Sequence, residues 1–184
     1  MLSTYKFKDM NILPPFNLQE WIKNNRHLLK PPVGNKNLYV DAGDFIVMIV
    51  AGPNARKDYH YNETEELFYQ IEGDITVKTQ QDNKMVEVKI REGEMFLLPA
   101  KIPHSPIRPE GSIGLVIERK RNKDDKDGLM WFSDKENALL YEEYFQLTNI
   151  EKDFLPVFKK FYQSEKLRTC PISGEIMEAD ERYT

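Results

Sequence analysis

Gly52-Pro53-Asn54-Ala55-Arg56-Lys57-Asp58-Tyr59-His60, followed by Glu66 and later by His104, decides how this chain is read. Arg56, Asp58 and His60 are spaced by two, so on an extended strand their side chains leave from one face. Glu66 comes after the short polar turn Tyr61 to Glu65 and opens Glu66-Leu67-Phe68-Tyr69-Gln70-Ile71, where Glu66, Phe68 and Gln70 share a face. An antiparallel return brings Glu66 beside His60. His104 lies in Leu97-Leu98-Pro99-Ala100-Lys101-Ile102-Pro103-His104-Ser105-Pro106, where the prolines fix φ and stiffen a loop. A lone strand histidine is usually a hydrogen-bonded residue, but two imidazoles and a carboxylate together match the facial triad that holds non-haem Fe(II) with open positions.

Outward from that stretch, residues 37 to 119 read as short β-rich segments at 38–41, 45–51, 66–71, 74–80, 85–90, 95–98 and 113–119. They are punctuated by Gly43, Gly52, Gly73, Asn83, Gly93 and Gly111. Strands at such intervals, with turn residues between them, predict a sandwich or barrel. Asn17 is placed to cap an amphipathic helix that runs through Leu28 and Leu29 and is stopped by Pro31-Pro32. The charged run Lys120 to Asp127 reads as a connector. Beyond it, Leu139, Leu140, Tyr144, Phe145 and Leu147, then Phe154, Leu155, Phe158 and Phe161, predict two helices over 129–166, with 167–184 as a tail.

The 184 residues, 40% hydrophobic, suffice for one core, so a single domain is expected over 1–184. Both charge signs are interspersed at a net charge of −4, which offers nucleic acid no basic patch. No apolar run is long enough to cross a bilayer, and the first twenty residues lack the apolar stretch of a signal peptide. With one cysteine, Cys170, neither an internal disulfide nor an all-cysteine metal site can form, and a cytoplasmic location is expected. His27 on the first helix belongs to no motif.

Arg56, Arg108 and Glu118 fall where a barrel interior is expected, and an unpaired buried charge is costly. Two solutions stay open: an internal Arg108–Glu118 salt bridge, or a charged ligand. Guanidinium binds carboxylate in a planar fork, and a neighbouring carboxylate accepts from an amine or hydroxyl. The second solution suits a small molecule bearing an acid and an adjacent donor.

Gly52, Asp58, His60, Glu66 and Gly73 resemble the first cupin motif with Asp58 in place of its first histidine. Gly93, Pro99 and His104 match the second, with Lys101 where a glycine is usual and Arg108 where an asparagine is usual. The resemblance narrows at Gly-Pro-Asn-x-Arg-x-Asp-Tyr-His, Glu-x-Phe-Tyr-Gln, Phe-Leu-Leu-Pro, Pro-His-Ser-Pro-x-Arg and Gly-Leu-Val-Ile-Glu, which are similar to the 3-hydroxyanthranilate 3,4-dioxygenase family from about Trp21 to Cys170. It implies a mainly β fold, a single cupin (jelly-roll) β-barrel over 37–119 with flanking N- and C-terminal helices, assembled as a homodimer. His60, Glu66 and His104 would hold one Fe(II). Arg108 and Glu118 would fix the carboxylate and amine of 3-hydroxyanthranilate, Glu66 and Arg56 would border the substrate, and Asp58 would support Arg56. Arg56 and Glu118 would serve the chemistry with O2. The implied product is 2-amino-3-carboxymuconate semialdehyde, precursor of quinolinate on the kynurenine route to NAD.

Many single-domain members of that family carry a second, rubredoxin-like iron on two Cys-x-x-Cys pairs. Those positions align here with Ser133, Glu136, Cys170 and Ser173, so no second iron is expected. A zinc-dependent cupin isomerase of sugar phosphates and a non-catalytic binding barrel are the rival readings. Metal identity and oxygen uptake separate them from a dioxygenase.

Overall fold

The computed structural model describes residues 14–30, 34–40, 42–54, 56–148 and 150–184. The leader reading of the N-terminus and the Pro31-Pro32 stop lie mainly or wholly outside these residues. Helix α1 (Leu18–Asn25) begins at the expected cap, where Asn17 Oδ1 accepts from the Glu20 amide at 2.9 Å, and a 3-10 turn, Arg26–Leu28, extends it. His27 is exposed on that turn.

Eleven strands follow among the described residues: β1 (Asn35–Asn37), β2 (Phe45–Ala51), β3 (Tyr59–Tyr61), β4 (Glu66–Glu72), β5 (Ile75–Gln81), β6 (Lys84–Ile90), β7 (Met95–Leu98), β8 (His104–Ile107), β9 (Ile113–Arg119), β10 (Asp127–Phe132) and β11 (Leu139–Phe145). They form a five-stranded sheet in the order β1-β2-β9-β4-β7 and a six-stranded sheet in the order β11-β10-β3-β8-β5-β6. All the pairings are antiparallel. This is a jelly-roll of two facing sheets that, among the described residues, do not close by hydrogen bonds into a barrel. Phe68, Val116, Leu98, Val77, Ile75 and Ile90 fill the space between them. Part of the outer face of the five-stranded sheet is covered by α1, whose Ile22 packs with Leu29, Ile49, Ile71 and Ile113. Asp82 and Asn83, at φ 49° and 61°, turn the β5–β6 hairpin as an Asx pair can.

Four sequence expectations are corrected. The first strand is 35–37 rather than 38–41. His104 opens a strand rather than riding on a loop. The tract 129–166 is not a helical extension throughout: 127–132 and 139–145 pair as a β-hairpin, and α2 (Ile150–Tyr162) is the helix of substance there. The apolar spacing of 139–147 misled because a register shift between Trp131 and Phe132 breaks the alternation that marks a strand, while backbone pairing to β10 decides the conformation. Finally, 167–184 is no loose tail. After α3 (Glu165–Arg168), Thr169 bridges Ile176, Met177 is buried, and Tyr183 stacks on Phe158 and Tyr162 with ring centroids 4.8 and 5.5 Å apart.

Lys101 has φ +67°, the left-handed conformation that the glycine usual at this place supplies without strain.

Candidate metal centre

Each sheet contributes one pair of directly opposed residues. In the six-stranded sheet His60 of β3 faces His104 of β8, with ring centroids 5.4 Å apart, and in the five-stranded sheet Glu66 of β4 faces Glu118 of β9. Opposed residues of neighbouring strands project to the same side, so both pairs enter the space between the sheets. His60, Glu66 and His104 each offer a ligand atom, all within 4.8 Å of one another, and are 8%, 5% and 2% exposed. Among the described residues no other group of three or more such donors converges in this way.

The hydrogen bonds fix which nitrogen each histidine presents. His60 Nε2 lies 2.7 Å from Asp127 Oδ1, an acceptor, so Nε2 carries the proton; Nδ1 is left bare 3.6 Å from Glu66 Oε1. His104 Nδ1 donates to the Ile102 carbonyl at 3.0 Å, which turns Nε2 toward Glu66 Oε2 at 3.3 Å. Histidines anchored from behind in this manner are the usual form of a metal ligand. Burial lowers the His60 pKa despite its bond to Asp127, which suits a neutral ligand. Burial alone would raise the Glu66 pKa, but His104 and His60 outweigh it and hold the carboxylate ionised. His104 is raised in turn: burial opposes its charge, and Glu66 more than compensates. Two oriented imidazoles and an ionised carboxylate fit a divalent iron.

The segment carrying Arg56 is tied to β8 by Asn54, whose Nδ2 donates to the Pro106 carbonyl at 2.7 Å and whose Oδ1 accepts from the Arg108 amide at 2.8 Å. A Cβ at Gly52 would come within 2.0 Å of the Pro109 carbonyl oxygen, so only glycine permits this approach. Arg56 is paired with Asp58 through Nη2 and Nε.

Arg108 and Glu118 do not form the salt bridge that the sequence left open. Arg108 is 3% exposed and its Nη1 has no hydrogen-bond partner; burial, then the nearby Arg56, pull its pKa down to about 10. Glu118 accepts from Arg121 Nη1 at 2.6 Å and from Asn62 Nδ2 at 3.1 Å. Burial, then the charge of Glu66, push its carboxyl up to about 7. Sequence reading missed Asn62, Arg121 and Asp127. The last two sit in the charged run that reads as a connector, and the one hint is a charge placed directly before the apolar Gly128-Leu129-Met130-Trp131.

Ser133, Glu136, Cys170 and Ser173 do meet, but as a hydrogen-bonded cluster. Cys170 Sγ donates to Glu136 Oε2 at 3.4 Å, and the Glu136 carboxyl, with Ser133 and Ser173 beside it, is held below its ordinary range. One thiol, one carboxylate and two hydroxyls do not fit an iron that requires four thiolates.

Two facing antiparallel sheets that enclose two histidines and a glutamate define a cupin-type jelly-roll with a candidate metal site. A solved cupin-2 domain protein from Shewanella frigidimarina matches 56% of this chain and 100% of its own, with a TM-score of 0.43 and 18% identity. The family described as 3-hydroxyanthranilic acid dioxygenase matches residues 10–162, and the chain belongs to that family. A relative named 3-hydroxyanthranilate 3,4-dioxygenase from Xanthomonas euvesicatoria is 54% identical over 94% of this chain and 97% of its own. Another of that name, from Jannaschia, is 49% identical over 89% of this chain and 91% of its own. Dioxygenase is therefore the enzyme class. No helix among the described residues is long and apolar enough to cross a membrane.

Proposed function

We propose that this chain uses Fe(II) and O2 to open the ring of 3-hydroxyanthranilate, giving 2-amino-3-carboxymuconate semialdehyde, the precursor of quinolinate on the kynurenine route to NAD. The observation that carries this reading is the buried, unpartnered Nη1 of Arg108 in the same interior as the His60–Glu66–His104 group. A buried guanidinium with a free donor is costly until an anion fills it, and a substrate carboxylate does so with matching geometry.

In this reading His60, Glu66 and His104 hold the ion, and no second iron is proposed. Arg108 binds the substrate's carboxylate. Glu118, kept in place by Arg121 and Asn62, accepts a hydrogen bond from the adjacent amine or hydroxyl and can take up a proton near neutral pH. Bound iron supplies the electron path between the aromatic ring and dioxygen. Arg56, steadied by Asp58, opposes the negative charge that develops on oxygen. Phe68, with its ring 6.3 Å from that of His104, and Phe154, 5.5 Å from that of His60, keep water from the reacting atoms.

A homodimer is the proposed assembly, supported by the exposed Phe45, Met95 and Leu97 on the outer face of the five-stranded sheet, and sedimentation velocity tests it. A cytoplasmic location is proposed with it, a reducing compartment suiting Fe(II). The deciding experiment is oxygen uptake by the Fe(II)-reconstituted protein with 3-hydroxyanthranilate, following the absorbance of the transient semialdehyde, with an iron-free control. Iron-dependent, stoichiometric uptake with that product is expected. Iron bound without uptake overturns the assignment.

A further inference from the structure

A chain of buried hydrogen bonds runs through the site, and three of its six members, Asp127, Arg121 and Asn62, are not among the residues assigned to metal or substrate. Arg121 is its centre. Its Nη1 donates to Glu118 Oε2 at 2.6 Å, while its other edge grips Asp127, Nη2 to Oδ1 at 2.6 Å and Nε to Oδ2 at 2.9 Å. Asp127 in turn accepts from His60 Nε2 at 2.7 Å. On the opposite side Asn62 Nδ2 lies 3.1 Å from Glu118 Oε2 and 3.2 Å from Glu66 Oε1. The circuit therefore reads His60, Asp127, Arg121, Glu118, Asn62, Glu66, and it begins and ends on two residues of the metal group. The side chains of Arg121, Glu118 and Asp127 are 5%, 3% and 0% exposed.

We propose that Arg121 is a positioning residue that sets the metal-facing imidazole of His60 and the substrate-facing carboxylate of Glu118 with one guanidinium. The geometry requires arginine. Asp127 and Glu118 approach different edges of the group, and only a planar fork with several fixed donors reaches both at once; an ammonium is a point charge that serves one. Asp127 also needs this cation for its own role. A buried carboxylate facing only a neutral imidazole would be poorly compensated, and it would cease to hold Nε2–H in a fixed direction. Asn62 completes the coupling: it bridges Glu118 to Glu66, so a displaced Glu118 disturbs the circuit on both sides.

The substrate half of this inference rests on the function proposed above; the metal half does not. The test therefore measures two affinities directly on purified wild type, Arg121→Met and Arg121→Lys: Fe(II) by anaerobic competition with a chelator, and 3-hydroxyanthranilate by anaerobic titration of the iron-loaded protein. Thermal unfolding is recorded beside them. Arg121→Met should bind Fe(II) about 10-fold more weakly, the low end for loss of an outer partner of a metal ligand, and should also bind 3-hydroxyanthranilate more weakly. Arg121→Lys, which keeps the charge and serves as the readout if the methionine variant does not fold, should recover no more than one of the two affinities. A lower melting temperature with both affinities unchanged in a folded variant would show a merely structural arginine and overturn the inference. Wild type that binds Fe(II) but not 3-hydroxyanthranilate sinks the proposed substrate instead, and the Fe(II) arm still decides the role of Arg121.

Discussion

Gly114 leaves the space in which the Arg108 guanidinium lies: a Cβ built at position 114 would stand 3.2 Å from Arg108 Nη1 and 2.8 Å from Gln70 Oε1. Gly114 is on the inward face of β9 with Val116 and Glu118, so any side chain there enters the site.

Gly114→Ala should therefore displace Arg108 without touching a metal ligand. The expected outcome is a KM for 3-hydroxyanthranilate raised severalfold with unchanged iron content, read by steady-state kinetics and metal analysis. Unchanged KM would place the substrate carboxylate elsewhere.

Arg108→Met removes the guanidinium altogether. Hydrogen bonds to charged groups contribute about 1.5–3 kcal/mol, so substrate affinity should fall by about 10- to 100-fold. Because Nη1 is buried without a partner, the same change should leave the melting temperature level or higher. A variant that loses stability and keeps its substrate affinity contradicts both halves.

His104→Ala should abolish tight Fe(II) binding, since it removes one of two nitrogen donors and leaves the Glu66 carboxylate with one imidazole neighbour. A metal that binds only the folded state raises the melting temperature with its concentration, so Fe(II) should do this in wild type, an increase that chelation should reverse. The variant should show no such dependence.

Glu118 supplies a pH signature. Its folded-state pKa, pushed up to about 7, lies above the ordinary glutamate value of 4.5, so its contribution to stability is intact below pH 4.5 and is lost as pH rises through about 7. In metal-free protein the melting temperature of wild type minus that of Glu118→Gln should become more negative between about pH 5 and 8. A difference that is flat, or that moves the other way, would mean that Arg121 holds Glu118 ionised throughout.

Much of the site was legible because its chemistry is concentrated in short segments. The strand from Glu66 declares its inward face by period alone, whereas Arg56 and Asp58 lie just before β3 rather than on one strand with His60; β2, β7 and β9 begin and end where apolar runs meet turn residues. The hairpin of β10 and β11 was not legible, because its apolar residues fit a helical spacing as well as a strand interrupted by a bulge, and the choice was made by a partner strand. The same holds for 167–184, whose burial depends on the aromatic face of α2.

The sequence by itself determined that two histidines and a glutamate are available for a metal, that arginines and a glutamate would need partners inside a barrel, and that no tetrathiolate iron can form. These follow from residue identity and local period. Tertiary structure alone decided who pairs with whom: Glu118 with Arg121 rather than Arg108, and His60 with Asp127. A buried charge is satisfied by whichever opposite group the packed sheets bring within hydrogen-bond reach, and that depends on strand register across the whole fold rather than on distance along the chain.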